Sequence, residues 1–260
     1  MGTSRRQFFQ VTAGGLVAAS GVVGRVRPAA AQGPTVKIGS AVLGDYSMVT
    51  PILVALEKGF FKAQGVTVEF QPFRGGPDLV KAVVAGQIHI GTTGATDVPV
   101  FRATGAPIRF IASGVDHNHF TLNVAPAIGR AADLKGKSKI LLRFDTVTPK
   151  WISQAYYATD EYIKGNKDAI QRALKGLIQG VRFMQENTKE AAKIASKTLQ
   201  WTEEAILRAH QISGPLLSKD GTLSVEAIEA MQTTLLEYKV QDKRVPTADL
   251  YTAEFTPVRV

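Results

Sequence analysis

Three short stretches carry residue types suited to holding a small ligand: 44–50, 74–77 and 92–97. The first supplies Asp45, Tyr46 and Ser47, the second Gly75 and Gly76, the third Thr93, Gly94, Ala95 and Thr96. They offer hydroxyls, one carboxylate, and glycines that let ligand atoms approach the backbone. Asp45 can accept a hydrogen bond from a ligand amine, or simply cap Met48 or Val49. Such loops also serve as plain helix caps in any α/β fold. His117, two residues from His119, can supply two metal ligands. No third ligand stands near in sequence, so a polar loop beside a cleft is the better reading of His117. Signals for catalysis are missing: the chain has no G-x-S-x-G elbow, no phosphate-binding P-loop and no G-x-G-x-x-G. No catalytic residue and no cofactor is expected.

The elements around these stretches predict how they meet. Residues 35–42 alternate like a strand. Thr50-Pro51 reads as a helix start, with proline at the first helical position, and Gly59 reads as its end. A strand over 66–70 leads to a helix opened by Gly75-Gly76-Pro77 and closed at Gly86. A third strand is predicted over 87–91, a third helix up to Gly105, and strands over 108–112 and 120–124. Strands alternating with helices of this length imply a mostly parallel sheet with right-handed crossovers. All three loops then fall at the carboxyl edge, next to helix N-termini whose free N–H groups suit an anion or a polar head group.

The second half is helical. Ile170, Ala173, Leu174, Leu177, Ile178, Val181 and Met184 share one helical face. Asn187 with Glu190 predicts a capping box, and Thr202 and Ser224 read as further caps. Val225, Ile228, Met231 and Leu235 are the predicted buried face of the last long helix. Trp151, Tyr156 and Tyr157 read as core rather than cleft, His89 as a hydrogen-bonded strand residue, and His210 as a helical residue at the core edge.

Composition narrows the function classes. Ser4-Arg5-Arg6-Gln7-Phe8-Phe9 precedes an uncharged apolar stretch too short to span a bilayer, then Ala29-x-Ala31. This resembles a twin-arginine export signal, implying passage through the Tat translocase and cleavage after Ala31. Losing Arg5, Arg6, Arg25 and Arg27 and no acid would lower the formal charge from +9 to +5. No basic run interleaved with aromatics suggests nucleic acid. The chain contains no cysteine, so disulfides, thiolate chemistry and a lipid anchor on cysteine are excluded. A soluble, monomeric, non-lipidated periplasmic protein is expected.

Glu57-Lys58-Gly59-Phe60-Phe61, with Ala63-Gln64-Gly65-Val66-Thr67-Val68-Glu69 after it, resembles the opening of the nitrate/sulfonate/taurine-type (SsuA-like) substrate-binding proteins of ABC transporters, the NMT1/THI5-like family. The resemblance continues through Gly75-Gly76, Ala85-Gly86-Gln87-Ile88-His89-Ile90-Gly91, Gly105-Ala106-Pro107-Ile108, Asp133-Leu134-Lys135-Gly136-Lys137 and 155–163. It implies a type II periplasmic-binding fold of two α/β lobes with a ligand between them, an ABC permease as partner, and no covalent chemistry. It also implies a small, anionic, sulfonate-, nitrate- or taurine-like ligand, with first-lobe contacts at Asp45–Ser47, Gly75-Gly76 and 93–96. Alternatives within the same resemblance are a thiamine-pyrimidine-precursor enzyme or binder and a ligand-sensing domain.

One departure stands out. After Lys135-Gly136-Lys137 the family pattern continues with strands, helices and a ligand loop, whereas here Leu141 to Thr146 already resembles a return strand. The space is too short for two β/α units of ~30 residues each. The expected organisation is a leader over 1–31, a largely complete first lobe built from 32–125 and 155–260 with the C-terminal helices, and a truncated second lobe and hinge over 126–154. A ligand clasped from one side only should bind weakly.

Overall fold

The computed structural model describes residues 33–118, 120–124, 139–143 and 150–260, and for 121–124 and 139–143 their backbone. The expected leader with Arg5, Arg6 and the cleavage point after Ala31 lies outside the described residues, as do His119 and most of 126–154.

In chain order the elements are β1 (Thr35–Ser40), α1 (Tyr46–Glu57), α2 (Phe60–Ala63), β2 (Thr67–Pro72), α3 (Gly76–Val84), β3 (Ile90–Gly94), α4 (Asp97–Ala103) and β4 (Ile108–Val115). Then come β5 (Thr121–Val124), β6 (Lys139–Arg143), β7 (Gln154–Thr159), α5 (Asp160–Gly165), α6 (Lys167–Glu186), α7 (Thr188–Leu199), α8 (Glu203–Ser213), α9 (Val225–Glu237) and α10 (Thr247–Leu250). The main sheet has the order β2-β1-β3-β7-β4. β2, β1 and β3 are parallel, and β7 runs antiparallel between β3 and β4.

β7 corrects the expected return strand. β6 pairs antiparallel with β5 in a separate two-stranded sheet, and Gln154–Thr159 is the segment that enters the main sheet. Its residues are buried on both faces, so Gln-Ala-Tyr-Tyr-Ala-Thr shows no polar–apolar alternation to mark it. Tyr156 belongs to the core cluster of Ile38, Ile90, Ile111 and the Ile170 to Ile178 part of the α6 stripe, while Tyr157 belongs to that of Leu79, Ile88, Val98 and Phe110. Both tyrosines and Trp151 are core, as expected.

Two boundaries also moved. α1 starts at Tyr46, four residues before Thr50-Pro51, because the Asp45 side chain accepts from the N–H groups of Ser47 and Met48 and starts the helix there. Pro51 therefore lies inside α1 and offers no N–H to the Ser47 carbonyl. β3 starts at Ile90, not Gln87, because the N–H groups of Gln87 and Ile88 both bond Ala82 O and complete the turn that ends α3. In the helical half the predicted α6 face is buried throughout. Thr202 and Ser224 cap through their hydroxyls. Asn187 occupies its cap position without a side-chain bond, and Glu190 pairs with Lys58 instead of closing a box. Val225 is exposed, while Ile228, Met231 and Leu235 are buried. The C-terminal segment covers the β4 edge, with Ser113 N bonding Gly221 O and Thr252 N bonding Phe110 O.

At the amino edge, Asp160 fastens α5 to the sheet by accepting from Arg102 at 2.6 Å and Arg109 at 2.5 Å. Burial pushes its carboxyl up, but the hydrogen bonds and charges of Arg109 and Arg102 outweigh this and hold it below the usual carboxylate range. A depressed folded-state pKa stabilises at pH above the unfolded value, and that stabilisation fades as pH falls through the folded value. Asp160→Asn should therefore cost about 1 kcal/mol at pH 7, since solvent screens this half-buried cluster. The gap between the two proteins in urea unfolding should shrink as pH falls below the ordinary carboxylate range; a constant gap would contradict the ion-pair account.

Candidate functional site

The carboxyl ends of β1, β2 and β3 stand side by side and stay tied beyond the strands. Ala41 N bonds Thr92 O at 3.0 Å, Phe73 N bonds Ser40 O at 2.8 Å, and Gly75 N bonds Ala41 O at 2.8 Å. β7 runs the other way, so its first residue joins the same edge, and the end of β4 brings His117 there. The 44–50, 74–77 and 92–97 stretches thus converge as the sequence predicted.

Asp45 and Ser47 form one corner. Asp45 Oδ1 accepts from Ser47 N (2.9 Å), Ser47 Oγ (2.8 Å), Met48 N (3.0 Å) and Gln154 Nε2 (3.1 Å). Gln154 Nε2 also donates to Ser47 Oγ at 2.7 Å. The Asp45 carboxylate, an acceptor only, fixes which end of the amide faces it. Gln154 is 1% exposed, and among the described residues its Oε1 has no hydrogen-bond partner.

Tyr46 turns away from this corner. Its hydroxyl meets His210 Nδ1 on α8 at 2.5 Å, and His210 Nε2 meets Thr188 Oγ1 at 3.3 Å. Thr188 Oγ1 donates to Met184 O, so a neutral His210 donating from Nε2 and accepting from Tyr46 satisfies the whole chain. Burial lowers the His210 pKa and raises that of Tyr46, which keeps both neutral.

The second corner is Gly76, Thr93 and Asp97. Thr93 Oγ1 donates to Asp97 Oδ2 at 2.5 Å. A Cβ on Gly76 would fall 1.7 Å from the same oxygen, so only glycine leaves room for the carboxylate against α3. Burial raises the Asp97 carboxyl, partly offset by the Thr93 bond. Gly75 begins α3 at φ 124, a left-handed-side conformation reserved for glycine.

Gly94 lies opposite Gln154 in the β3–β7 register and links the two corners. Ala95 N bonds Ser153 O at 3.0 Å, and Ser153 Oγ donates to His117 O at 2.5 Å. Thr96 precedes α4 without a side-chain cap bond. The His117 side chain is exposed. Among the described residues no group of three or more His, Cys, Asp or Glu could hold a metal ion.

The sequence reading missed Gln154, Asp97 as a site residue, and the His210 bond to Tyr46. A polar side chain opening an otherwise apolar run was the available signal for Gln154. His89 sits just ahead of β3, where its Nδ1 accepts from Lys37 N at 3.1 Å and its ring stacks on Tyr162. Two cavities open at the opposite, amino edge: one of 560 Å³ past Val84, His89 and Tyr162, and one of 270 Å³ past Arg109, Lys164 and Lys167. Neither is lined by the candidate residues.

Residues 47–143 match the NMT1/THI5 like family model. No curated protein matches the chain by sequence. Among solved structures, the alkanesulfonate-binding protein SsuA from Xanthomonas axonopodis pv. citri, bound to MOPS, aligns with a TM-score of 0.69 at 15% identity, covering 86% of this chain and 99% of that one. The periplasmic aliphatic sulphonate binding protein SsuA from Escherichia coli gives 0.68 at 15%, covering 83% and 91%. The periplasmic nitrate-binding protein NrtA from Synechocystis PCC 6803 gives 0.62 at 11%, covering 85% and 86%. At such identities the likeness is one of fold: the chain has the periplasmic-binding-protein fold.

Proposed function

We propose that this chain, NMT1/THI5-like over 47–143, is an extracytoplasmic solute-binding protein that presents a small sulfonate-, nitrate- or taurine-like ligand to an ABC permease. The observation that carries this reading is the convergence of the three strand-to-helix stretches at one sheet edge, around Asp45, Ser47, Gly76, Thr93 and Gln154. Ligands of open α/β sheets bind at that edge. The carboxyl edge is proposed to hold and orient the ligand. Its place in the cell follows from the leader proposed over 1–31, with Arg5-Arg6 read by the Tat translocase and release after Ala31 as a soluble monomer.

The second lobe is proposed to be reduced to 126–154. Between β4 and β7 the chain has only residues 116–153 with which to build a facing wall, against a sheet of five strands on the other side. A ligand held by one wall keeps much of its surface in water, so affinity should fall to the millimolar range, about −4 kcal/mol. Titrating residues 32–260 with ethanesulfonate, nitrate and taurine by ligand-observed NMR tests both parts. Weak, saturable binding of at least one of these probes is expected. A micromolar or tighter complex would overturn the reduced second lobe, and no saturable binding of any probe would overturn the solute-binding role.

A further inference from the structure

Among the described residues, the carboxyl edge has the wrong charge for a bare anion. Three carboxylates stand there: Asp45 at the start of α1, Asp97 at the start of α4, and Asp116 directly after β4. The cations nearby in sequence are Arg74 and His117, both exposed. The Asp97 carboxylate already stands against Gly76 at the first turn of α3, where an anionic group would approach the helix end. Burial raises the carboxyls of both Asp97 and Asp116; at Asp116 the charge of His117 offsets this only in part, and among the described residues Asp97 has no basic partner like the two arginines on Asp160. A carboxylate withdrawn from water without a counter-ion gains when a cation arrives.

A second, independent feature asks for the same chemistry. The Gln154 carboxamide is 1% exposed and lies against Asp45 and Ser47, to both of which its Nε2 donates. Among the described residues its Oε1 has no donor. A buried acceptor left unmade is costly, and a ligand N–H that reaches it recovers that loss. Among the described residues, Asp97 without a cation and an amide oxygen without a donor describe the surroundings of an N–H-rich positive group.

Resting on the solute-binding reading above, we infer that the group held by this edge is a protonated amine of the ligand, with any anionic group pointing away from the sheet. Asp97 and Asp45 set the charge preference, Gln154 adds an acceptor, and Gly94 and Thr93 join the two corners. The ligand is therefore cationic or zwitterionic.

Taurine and isethionate separate the two possibilities, because they differ only by an ammonium in place of a hydroxyl. Ethanolamine carries the amine without the sulfonate. Binding to residues 32–260 is read by ligand-observed NMR for the parent, Asp45→Asn and Asp97→Asn. Asparagine keeps the cap at position 45 and an acceptor for Thr93 at position 97, so both variants should melt near or above the parent. The expected result is taurine at least tenfold tighter than isethionate, ethanolamine detectable, and the taurine preference shrinking several-fold in each variant. Isethionate binding as tightly as taurine would overturn the amine assignment and leave the solute-binding role standing. A taurine preference unchanged in both variants would overturn its placement at this edge. Silence from every probe would remove the solute-binding reading and this inference together.

Discussion

Gly91→Ala should be the most damaging single methyl group in this protein. Gly91 sits in the middle of the sheet, paired with Gly39 on β1 and with Tyr157 on β7. The Tyr157 ring lies across it. A Cβ at position 91 would fall 2.4 Å from Tyr157 Cζ and 2.6 Å from Cε1 and the hydroxyl oxygen. An exposed ring would swing aside, but Tyr157 is 0% exposed and is held among Leu79, Ile88, Val98 and Phe110. Overpacking a core costs 1–3 kcal/mol in ordinary cases, and a clash this deep belongs at the top, about 3 kcal/mol. The melting temperature should drop by roughly 6–12 °C for a domain of this size. Tyr157→Phe should not rescue the variant, because Cζ and Cε1 remain in place. Tyr157→Leu should, so that the double mutant is less damaged than the two single costs added together. Parent-like melting of Gly91→Ala would mean that Tyr157 does not pack on Gly91.

The same pair explains what the sequence could and could not disclose. Elements whose burial follows a period were legible: β1, α3, and above all α6, whose stripe from Ile170 to Met184 is buried residue for residue. Glycines that end helices were legible too, since Gly59, Gly86 and Gly105 all adopt positive φ where a turn needs it. β7 was not, because a strand buried on both faces has no alternation. Its partner Gly91, and Gly39 beyond it on β1, look like turn residues, although they are where the ring of Tyr157 and the side chains of Leu79 and Phe73 have room. The site divides the same way. Asp45, Ser47, Gly75, Gly76 and Thr93 were found because local loop signals place them beside helix starts. Gln154 reaches Asp45 across 109 positions of chain, through a strand that the sequence hid. Asp97 was visible as a helix-start acid, but only the fold sets it against Gly76, and that contact gives this edge its negative character.

Gly180→Ala should be the second large loss, and it should reach the ligand corner. α6 packs its Gly180 directly on α1, where an added Cβ would lie 2.5 Å from the Pro51 carbonyl oxygen and 3.2 Å from Ala55 Cβ. The obstacle is helix backbone, which cannot rotate away, so α1 and α6 must separate. Alanine gains about 1 kcal/mol over glycine in a helix interior, which sets the floor that the clash must exceed. Against a clash of about 3 kcal/mol the net loss should be near 2 kcal/mol, or roughly 4–8 °C in melting temperature. Gly176→Ala, which meets the edge of the Phe61 ring at 2.5 Å, should cost less because a ring yields more readily than a carbonyl. Gly165→Ala, with nothing within 4 Å, should be neutral or slightly stabilising. The consequence for function follows from the first turn of α1. Asp45 and Ser47 hold Gln154 by contacts of 2.7 and 3.1 Å, distances that a shift of α1 by half an ångström would spoil. Gly180→Ala should therefore weaken taurine binding several-fold even at temperatures where the protein remains folded, whereas Gly176→Ala should leave it near the parent value. Equal binding by both variants would show that α1 does not carry the ligand corner.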